Sequence, residues 1–204
     1  MTAQSAMTVR EAAESRRSVH TFVQEEMPED DLREILRLTR LAPSPDNFQP
    51  WRFVVVRDPD LRARLLPAAM NQRHVASAQA LIVLYTDMED VLANVDEMIH
   101  PGVDEAGRAT VRAEFTRRFE AQSKKKRADY AHGLAYIALG YLLLAAESMG
   151  YRTSPMLDFE PKEMKQVLGL PAHVTIPALV AIGKGAEPGS RHHRHSVERI
   201  ARFV

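Results

Sequence analysis

The sequence predicts an α+β fold, folded as one domain over residues 1–204. Strand-like runs are scattered among helical segments, with roughly four strands among six or seven helices. They lack the regular strand–helix–strand rhythm of a doubly wound sheet. The length of 204 residues and the 45% apolar content suit one domain with a substantial core. We find no internal repeat and no shift in composition that would mark a linker.

Two helices are predicted ahead of the first strand. Thr8, followed three residues later by Glu11, is a capping-box pattern and indicates a short helix that ends near Arg16. Pro28 and the acidic residues that follow it are typical of a helix start. The apolar residues after them recur at helical spacing, so we expect this second helix to bury one face.

Two strands are predicted next. The β-branched run Arg52–Asp58 indicates the first of them. The segment that follows it looks helical but is interrupted at Pro67. Ala80–Asp87 is continuously apolar, which favours a second strand that is covered on both faces.

A long polar region and one very apolar helix follow these strands. We expect helices over residues 89–99 and 105–127, separated by His100–Gly102. The basic run Lys124–Arg127 is interpreted as a solvated helix end, stabilised there by the helix dipole. Ala128–Gly150 is apolar nearly all round, so it should be the central helix, buried in part by a second subunit.

The last quarter of the chain contains one clear strand. A short extended piece is expected between Pro155 and Pro161, and a helix is expected to begin at Pro161. Val174–Gly185 is predicted to be a strand. The apolar tail, residues 196–204, is expected to pair with the sheet edge of a partner.

The composition excludes several classes of site. The chain has no cysteine, which excludes disulfides, thiolate nucleophiles and cysteine-based metal sites. Its 27 Lys and Arg residues balance 27 Asp and Glu residues, so nothing supports a nucleic-acid partner, and zero net charge favours self-association. No signal-like segment or membrane-spanning run is found, so we expect a cytoplasmic protein without membrane contact.

Five polar stretches are candidate sites. Ser15–Phe22 carries paired arginines suited to a phosphate or an anionic ring, although a solvated basic corner would look the same. Ala42–Asp58 opens with a proline-stiffened polar loop that is either an elaborate turn or a binding loop. Met70–His74 and Thr153–Pro161 are equally compatible with a plain helix end and a plain connection. In Gly189–Ile200 the clustered histidines suggest a metal, but they do not converge in an extended segment, and the arginines among them favour an anion.

No nucleotide-binding glycine motif, Walker motif or nucleophile elbow is present. Any phosphate bound by this chain must therefore be held by arginines.

Four ordered blocks of the sequence resemble the nitroreductase family, the FMN-dependent NAD(P)H oxidoreductases. RRSVHTF resembles the family's RRSxRxF, and LAPSPDNFQPWRFVVV resembles its APSxxNxQPWxFxVV. AYIALGYLLLAAESMGYRTSPMLDF is similar to the family's long central helix followed by PMxGF. IPALVAIGKG followed by RHHRHSVERI is similar to its closing strand and basic tail. The resemblance extends over nearly the whole chain, from Arg10 to Val204.

The resemblance implies an α+β sandwich with a mainly antiparallel central sheet flanked by helices. It also implies an intertwined homodimer in which each C-terminal strand is exchanged to the partner. Two FMN sites are then expected at the subunit interface, and no metal is expected in them.

The matching residues imply where FMN binds. Arg16, Arg17 and Ser18 match the motif that holds the flavin phosphate and pyrimidine edge, and His20 stands where that motif has Arg or Lys. The loop that in this family reaches the FMN of the other subunit is matched by Pro43, Ser44, Pro45 and Asn47, with Gln49 and Trp51 as scaffold.

The remaining matches fall in three later segments. Asn71 matches a position that contacts the flavin ring, and His74 lies near a usual Lys. In this family a later stretch packs on the flavin and offers a backbone N–H near N5. This stretch is matched by Pro155, Met156, Leu157 and Asp158. Arg194 matches a tail arginine that grips the phosphate, and His192 stands where Lys is common.

The resemblance implies ping-pong catalysis in which the flavin carries the chemistry and no side chain is assigned as acid or base. NAD(P)H would deliver a hydride to flavin N5, and an electron-poor acceptor (a nitroaromatic, a quinone or an enone) would then take its place. The alternatives are a specialised member, flavin-fragmenting or dehalogenating, and a flavin-binding protein with little turnover. The helical region 90–127 is expected to shape the substrate mouth.

Overall fold

The computed structural model describes residues 7–204, so the first six residues of the predicted domain lie outside the described residues. The helices are α1 (Val9–Ser15), α2 (Glu29–Thr39), α3 (Pro59–Leu65), α4 (Arg73–Ser77), α5 (Met88–Ala93), α6 (Glu105–Glu120), α7 (Lys124–Ser148), α8 (Pro161–Leu168) and α9 (Val197–Ile200). The strands are β1 (Trp51–Val56), β2 (Ala80–Thr86), β3 (Arg152–Met156) and β4 (Thr175–Gly183). Short 3₁₀ turns cover Pro45–Asn47 and Val95–Glu97.

The four strands form one antiparallel sheet in the order β1-β2-β4-β3. This confirms the predicted α+β class with a mainly antiparallel central sheet. The extended piece was predicted between Pro155 and Pro161, but the strand there, β3, starts at Arg152, ends at Met156 and lies at the edge of the sheet. An edge position tolerates Pro155, which has no N–H to donate to a ladder. The register between β2 and β4 is irregular between Leu84 and Thr86, opposite the other strand proline, Pro177.

Helices cover both faces of the sheet, because β2 is apolar on both sides. Ile82 and Leu84 belong to a core cluster with α2 and α7, whereas Leu81 and Val83 belong to a second cluster with α3, α4 and α8. Alternate residues of a strand point to opposite faces, so this division follows directly from the apolar run in the sequence. A third cluster under α5 and α6 contains Phe48.

The boundary between α6 and α7 differs from the sequence-based prediction of one helix through residue 127. The chain breaks after Glu120, and Ser123 caps the new helix by accepting a hydrogen bond from the Lys126 N–H at 3.2 Å. The interpretation of Lys124–Arg127 as a helix end stabilised by the dipole was therefore wrong, since these residues begin α7.

Arg127 supplies the physical reason for this break. Its guanidinium is buried and donates to the carbonyls of Phe119 at 3.0 Å and Gln122 at 2.8 Å. It also pairs with Glu89 of α5 at 2.7 Å. A helix end leaves carbonyls without partners, and here a side chain from the next helix supplies the missing donors.

Helix α7 is the central helix, as predicted. It packs against α2 and against strands β2 and β4. By length and composition alone it could also cross a membrane, a property that core helices share and that we did not expect from the sequence. Its side away from the core exposes a stripe of small and apolar residues: Gly133, Tyr136, Ile137, Gly140 and Tyr141.

The C-terminal tail forms α9, in which Ile200 is 71% exposed, and then an extended segment in which Phe203 is 86% exposed. In this single chain the tail adds no strand to the sheet. Its exchange to a partner therefore stays a prediction.

Candidate functional site

The first group of predicted site residues lies where α1 ends. The capping box is present, with the Thr8 N–H donating to Glu11 at 2.7 Å and the Glu11 N–H donating to the Thr8 hydroxyl at 3.3 Å. Beyond the helix, Ser18 forms a parallel bridge with Thr153. This bridge places Arg16, Arg17 and Ser18 alongside the start of β3.

Arg16 is a half-buried cation with unused hydrogen-bonding capacity. Its Nη1 is buried and has no hydrogen-bond partner among the residues that the structure describes. Burial lowers the pKa of Arg16, the Glu147 carboxylate opposes that shift, and Arg194 and Arg17 add to it. The positive charges of Arg16, Arg17 and Arg194 therefore repel one another, and a bound anion would relieve this repulsion.

Two histidines stack beside these arginines. The rings of His20 and His74 have centroids 5.2 Å apart and planes inclined by 27°. The backbone N–H of His20 donates to the Glu187 carboxylate at 2.8 Å. Burial, and then the neighbouring His20, lower the pKa of His74 below its usual value, and its Nε2 is buried without a partner among the described residues.

A cavity of about 260 Å³ opens at this point. It is lined by Ser18, His20, Glu187, Pro188, Gly189, Ser190 and His192. Gly189 has a φ of 73°, and a Cβ there would come within 2.7 Å of Arg17 Cβ and 2.8 Å of the Ser18 carbonyl oxygen. Only glycine lets the loop approach the basic motif so closely.

The Asn71 turn and the end of β3 meet beside the histidines. The Gln72 amide donates to the Asp158 carbonyl at 2.8 Å, and the Glu160 N–H donates to the Ala68 carbonyl at 2.7 Å. Asn71 itself is exposed and has a φ of 53°.

The four predicted residues at the end of β3 have different surroundings. Leu157 and Asp158 are exposed, and Pro155 is half-buried. The Met156 side chain packs in the core and is only 5% exposed, so only its backbone is available to a ligand.

His192 and Arg194 extend from the tail segment, and both are exposed. The Arg194 guanidinium donates to the neighbouring His193 carbonyl at 2.9 Å. The His193 and His195 rings lie edge to face, 5.2 Å apart. Within residues 7–204 no three metal-ligating side chains gather at one point.

The proline-stiffened loop is held by its own side chains. The Ser44 hydroxyl accepts from the Gln49 N–H at 3.0 Å, and the Asn47 side-chain oxygen accepts from the Gln49 amide at 2.8 Å. Asp46 pairs with Arg118 of α6 at 3.0 Å. Ser44 is half-buried, whereas Pro43, Pro45 and Asn47 are exposed.

Comparison with known proteins decides the family. The family model described as "Nitroreductase family" matches residues 13–184. The chain belongs to the nitroreductase family. A protein of Thermus thermophilus named NADH dehydrogenase is 46% identical over 194 residues, which are 95% of each chain. YdgI of Bacillus subtilis, named as a candidate NAD(P)H nitroreductase, is 29% identical over 95% of this chain and 96% of its own.

A solved structure supports the same assignment. It is described as a candidate nitroreductase from Exiguobacterium sibiricum in complex with FMN, and it superposes with a TM-score of 0.85. The two chains are 25% identical, and all of each chain is covered. The family resemblance and the sandwich fold expected from the sequence are both confirmed.

In this nitroreductase chain the predicted site residues form two separate groups. One group lies beside β3 and consists of Arg16–His20, Asn71, Pro155–Asp158 and His192–Arg194. The Pro43–Asn47 loop precedes β1, at the opposite edge of the sheet. Three strand spacings of roughly 5 Å separate those edges, so one chain does not bring the loop to the arginines.

The sequence did not predict several residues that lie in the group beside β3. Glu187 and Gly189 shape the cavity, and Glu147 and Arg152 form an ion pair beside Arg16. The signal for Glu147 was a carboxylate in the apolar second half of α7. The other three gave no local signal, because their roles depend on which segments lie next to them.

Proposed function

We propose that this chain is an FMN-dependent NAD(P)H oxidoreductase that reduces an electron-poor acceptor such as a nitroaromatic, a quinone or an enone by a ping-pong mechanism. The enzyme class and the cofactor are supported by the family and by the names of its relatives. One observation carries the assignment of the site. Arg16 has a buried donor without a partner among residues 7–204, and the positive charges of Arg17 and Arg194 act on it beside the cavity.

The residues beside β3 fit the phosphate end of FMN. A phosphate offers several strong acceptor oxygens and a double negative charge, and guanidinium groups match that geometry with paired donors. Arg16 has a buried donor available, while Arg17 and Arg194 add positive charge next to it. The nearby glycine loop lets the backbone approach closely.

The same edge of the sheet also suits a flavin ring. A flavin ring has donors and acceptors along its pyrimidine edge, which complement imidazole and amide side chains. His20, His74 and Asn71 lie there, and the exposed backbone at Leu157 and Asp158 follows β3 directly. Bound FMN would supply the redox chemistry, taking up a hydride at N5 from NAD(P)H and delivering it to the acceptor.

We propose that the active form is a homodimer. The Pro43–Asn47 loop lies at the β1 edge, away from the arginines, so the loop of one subunit would complete the site of the other. The exposed stripe on α7 offers an apolar surface with small residues at its centre, as helix packing between subunits requires. The apolar tail would pair with the partner's sheet edge.

We also place the enzyme in the cytoplasm, without a nucleic-acid or membrane partner. The balanced charge supports the absence of a nucleic-acid partner. The expected partners are therefore a second copy of the chain and small molecules.

The decisive experiment follows the colour of the purified protein. Protein that is yellow, bleaches on addition of NADH or NADPH and regains its colour with menadione supports the reductase. Yellow protein that is inert to both donors would instead be a flavin-binding protein, and protein that takes up no FMN would contradict the proposal. Initial rates at several fixed donor concentrations should give parallel reciprocal plots, and intersecting plots would exclude the ping-pong scheme.

A further inference from the structure

Glu147 is a buried carboxylate near the end of α7, where the surrounding helix is apolar. It is 1% exposed, and its Oε1 pairs with Nη1 of Arg152 at the start of β3. Buried carboxylates are rare unless they are paired or hydrogen-bonded, and Arg152 supplies that pairing for Glu147.

The carboxylate satisfies only part of its hydrogen-bonding capacity. Glu147 Oε2 is buried without a partner in the described part of the chain, and so is Nη1 of Arg16. The Ser18–Thr153 bridge holds the Arg16 segment against the strand that carries Arg152. An unused acceptor and an unused donor are thus held in the same small region at the end of α7.

The charges around Glu147 are unbalanced. Arg152 pairs with the Glu147 carboxylate, and the nearby Arg16 carries the further positive charges of Arg17 and Arg194 beside it. Burial lowers the pKa of Arg16 most, and Glu147 acts against that shift, which places the carboxylate within electrostatic reach of Arg16. Glu147 therefore pairs directly with Arg152, acts on Arg16 through its charge, and leaves a net positive site for an anion.

We propose that Glu147 is a positioning residue that holds Arg16, together with Arg152, in the orientation that presents the Arg16 guanidinium to the phosphate of FMN. This inference rests on the proposed function, because it takes FMN as the ligand. In metal sites, removing a side chain that orients a ligand-binding group commonly weakens binding about 10- to 100-fold, and we expect an effect of the same kind here.

The test compares two flavins on the full-length protein freed of flavin. FMN and riboflavin share the ring, but riboflavin lacks the phosphate. In Glu147→Gln we expect the Kd for FMN to rise about tenfold or more, as when a side chain that orients a ligand-binding group is lost. The affinity for riboflavin should stay nearly unchanged. Quenching of flavin fluorescence measures both constants, and Glu163→Gln, an exposed carboxylate on α8, is the matched control.

A double mutant shows whether Glu147 acts through Arg16. In an Arg16→Ala background, Glu147→Gln should change the ratio of the two Kd values no further. If Glu147→Gln does not fold, Glu147→Asp keeps the charge but withdraws the carboxylate, and it should show the same selective loss.

Three outcomes overturn the proposal. The first is an equal loss for FMN and riboflavin, which a purely structural role would give. The second is tighter FMN binding, which would mean that the carboxylate acts only through its charge. The third is an undiminished effect in the Arg16→Ala background. Wild-type protein that binds neither flavin would refute the proposed function itself, whereas wild-type FMN binding combined with any of these three outcomes refutes only the role of Glu147.

Discussion

At the scale of single residues, unusual backbone conformations coincide with the candidate site. Every non-glycine residue of positive φ among residues 7–204 lies in one of two predicted cofactor segments. These residues are Asp46, Asn47, Gln49, Met70 and Asn71. Such conformations cost energy, so they persist where the surroundings enforce them, which is often at binding sites. Both segments contain asparagine, which tolerates this conformation better than most residues.

Asn47→Ala should weaken FMN binding several-fold. The substitution removes the amide that holds Gln49 and leaves a non-glycine residue at a φ of 58°, which adds about 1 kcal/mol of strain. FMN titration measures the affinity, and circular dichroism checks the fold. Asn47→Gly is the matched control, because it removes the amide without the strain. Unchanged FMN affinity in both variants would mean that the loop is a simple turn that does not contribute to FMN binding.

His74 should make stability depend on pH. Its pKa in the folded protein is depressed by burial and by His20, below the usual value of about 6.5. The unfolded state then binds more protons, so the stability is fully present above pH 6.5 and is lost as the pH falls below it. Wild type should therefore lose more stability than His74→Gln between pH 7.5 and 5.5 in urea unfolding. Equal losses in the two proteins would contradict this assignment.

At the scale of elements, an aromatic cluster joins the predicted binding loop to α6 and α7. Phe48, in the loop, contacts Phe115 and Phe119 of α6 edge to face, with centroids 5.2 and 5.1 Å apart. Tyr130 of α7 completes the cluster at 6.2 Å from Phe48. The helices of the polar region thus support the loop.

Phe119→Ala should destabilise the protein by about 3–5 kcal/mol, as expected for a phenyl ring removed from a core. The ring is 1% exposed and packs against Phe48. Chemical denaturation measures the change in the free energy of unfolding. Phe115→Ala, at a partly buried position, should cost clearly less. Similar losses for the two variants would mean that Phe119 is not the centre of the cluster.

At the scale of the whole molecule, the two groups of site residues lie at opposite edges of one sheet. Assembly is therefore part of the proposed site. The stripe on α7 supplies the surface on which this can be tested, because Ile137 and Tyr141 are 38% and 42% exposed in the single chain. Apolar side chains arranged as a continuous stripe along a helix commonly mark an interface.

Ile137→Glu should convert the proposed dimer to a monomer of 23.0 kDa, because it places a charge in the proposed apolar interface. Sedimentation velocity measures the mass, and FMN retention should fall with dimer content. Lys162→Glu, a charge change at an exposed position on α8, serves as the control and should leave the dimer intact. A stable Ile137→Glu dimer would place the interface elsewhere.

The sequence by itself determined the features that depend on neighbouring residues. The capping box at Thr8, the apolar strand around Ile82 and the stiff loop before Trp51 were all predictable, because capping and periodicity act over a few residues. Four motifs together were enough to indicate the family, which is confirmed, and to predict FMN-binding residues, which stay predictions.

Only the tertiary structure decided the rest. The break before α7 depends on Arg127 reaching the end of α6 and on Glu89 of α5. The link between Glu147, Arg152 and Arg16 depends on a strand bridge between segments more than a hundred residues apart. Sheet order, together with the Ser18–Thr153 bridge, places the predicted binding loop at the edge away from the arginines. Such features arise from burial and long-range register, which bring together charges and donors that no local pattern in the sequence can pair.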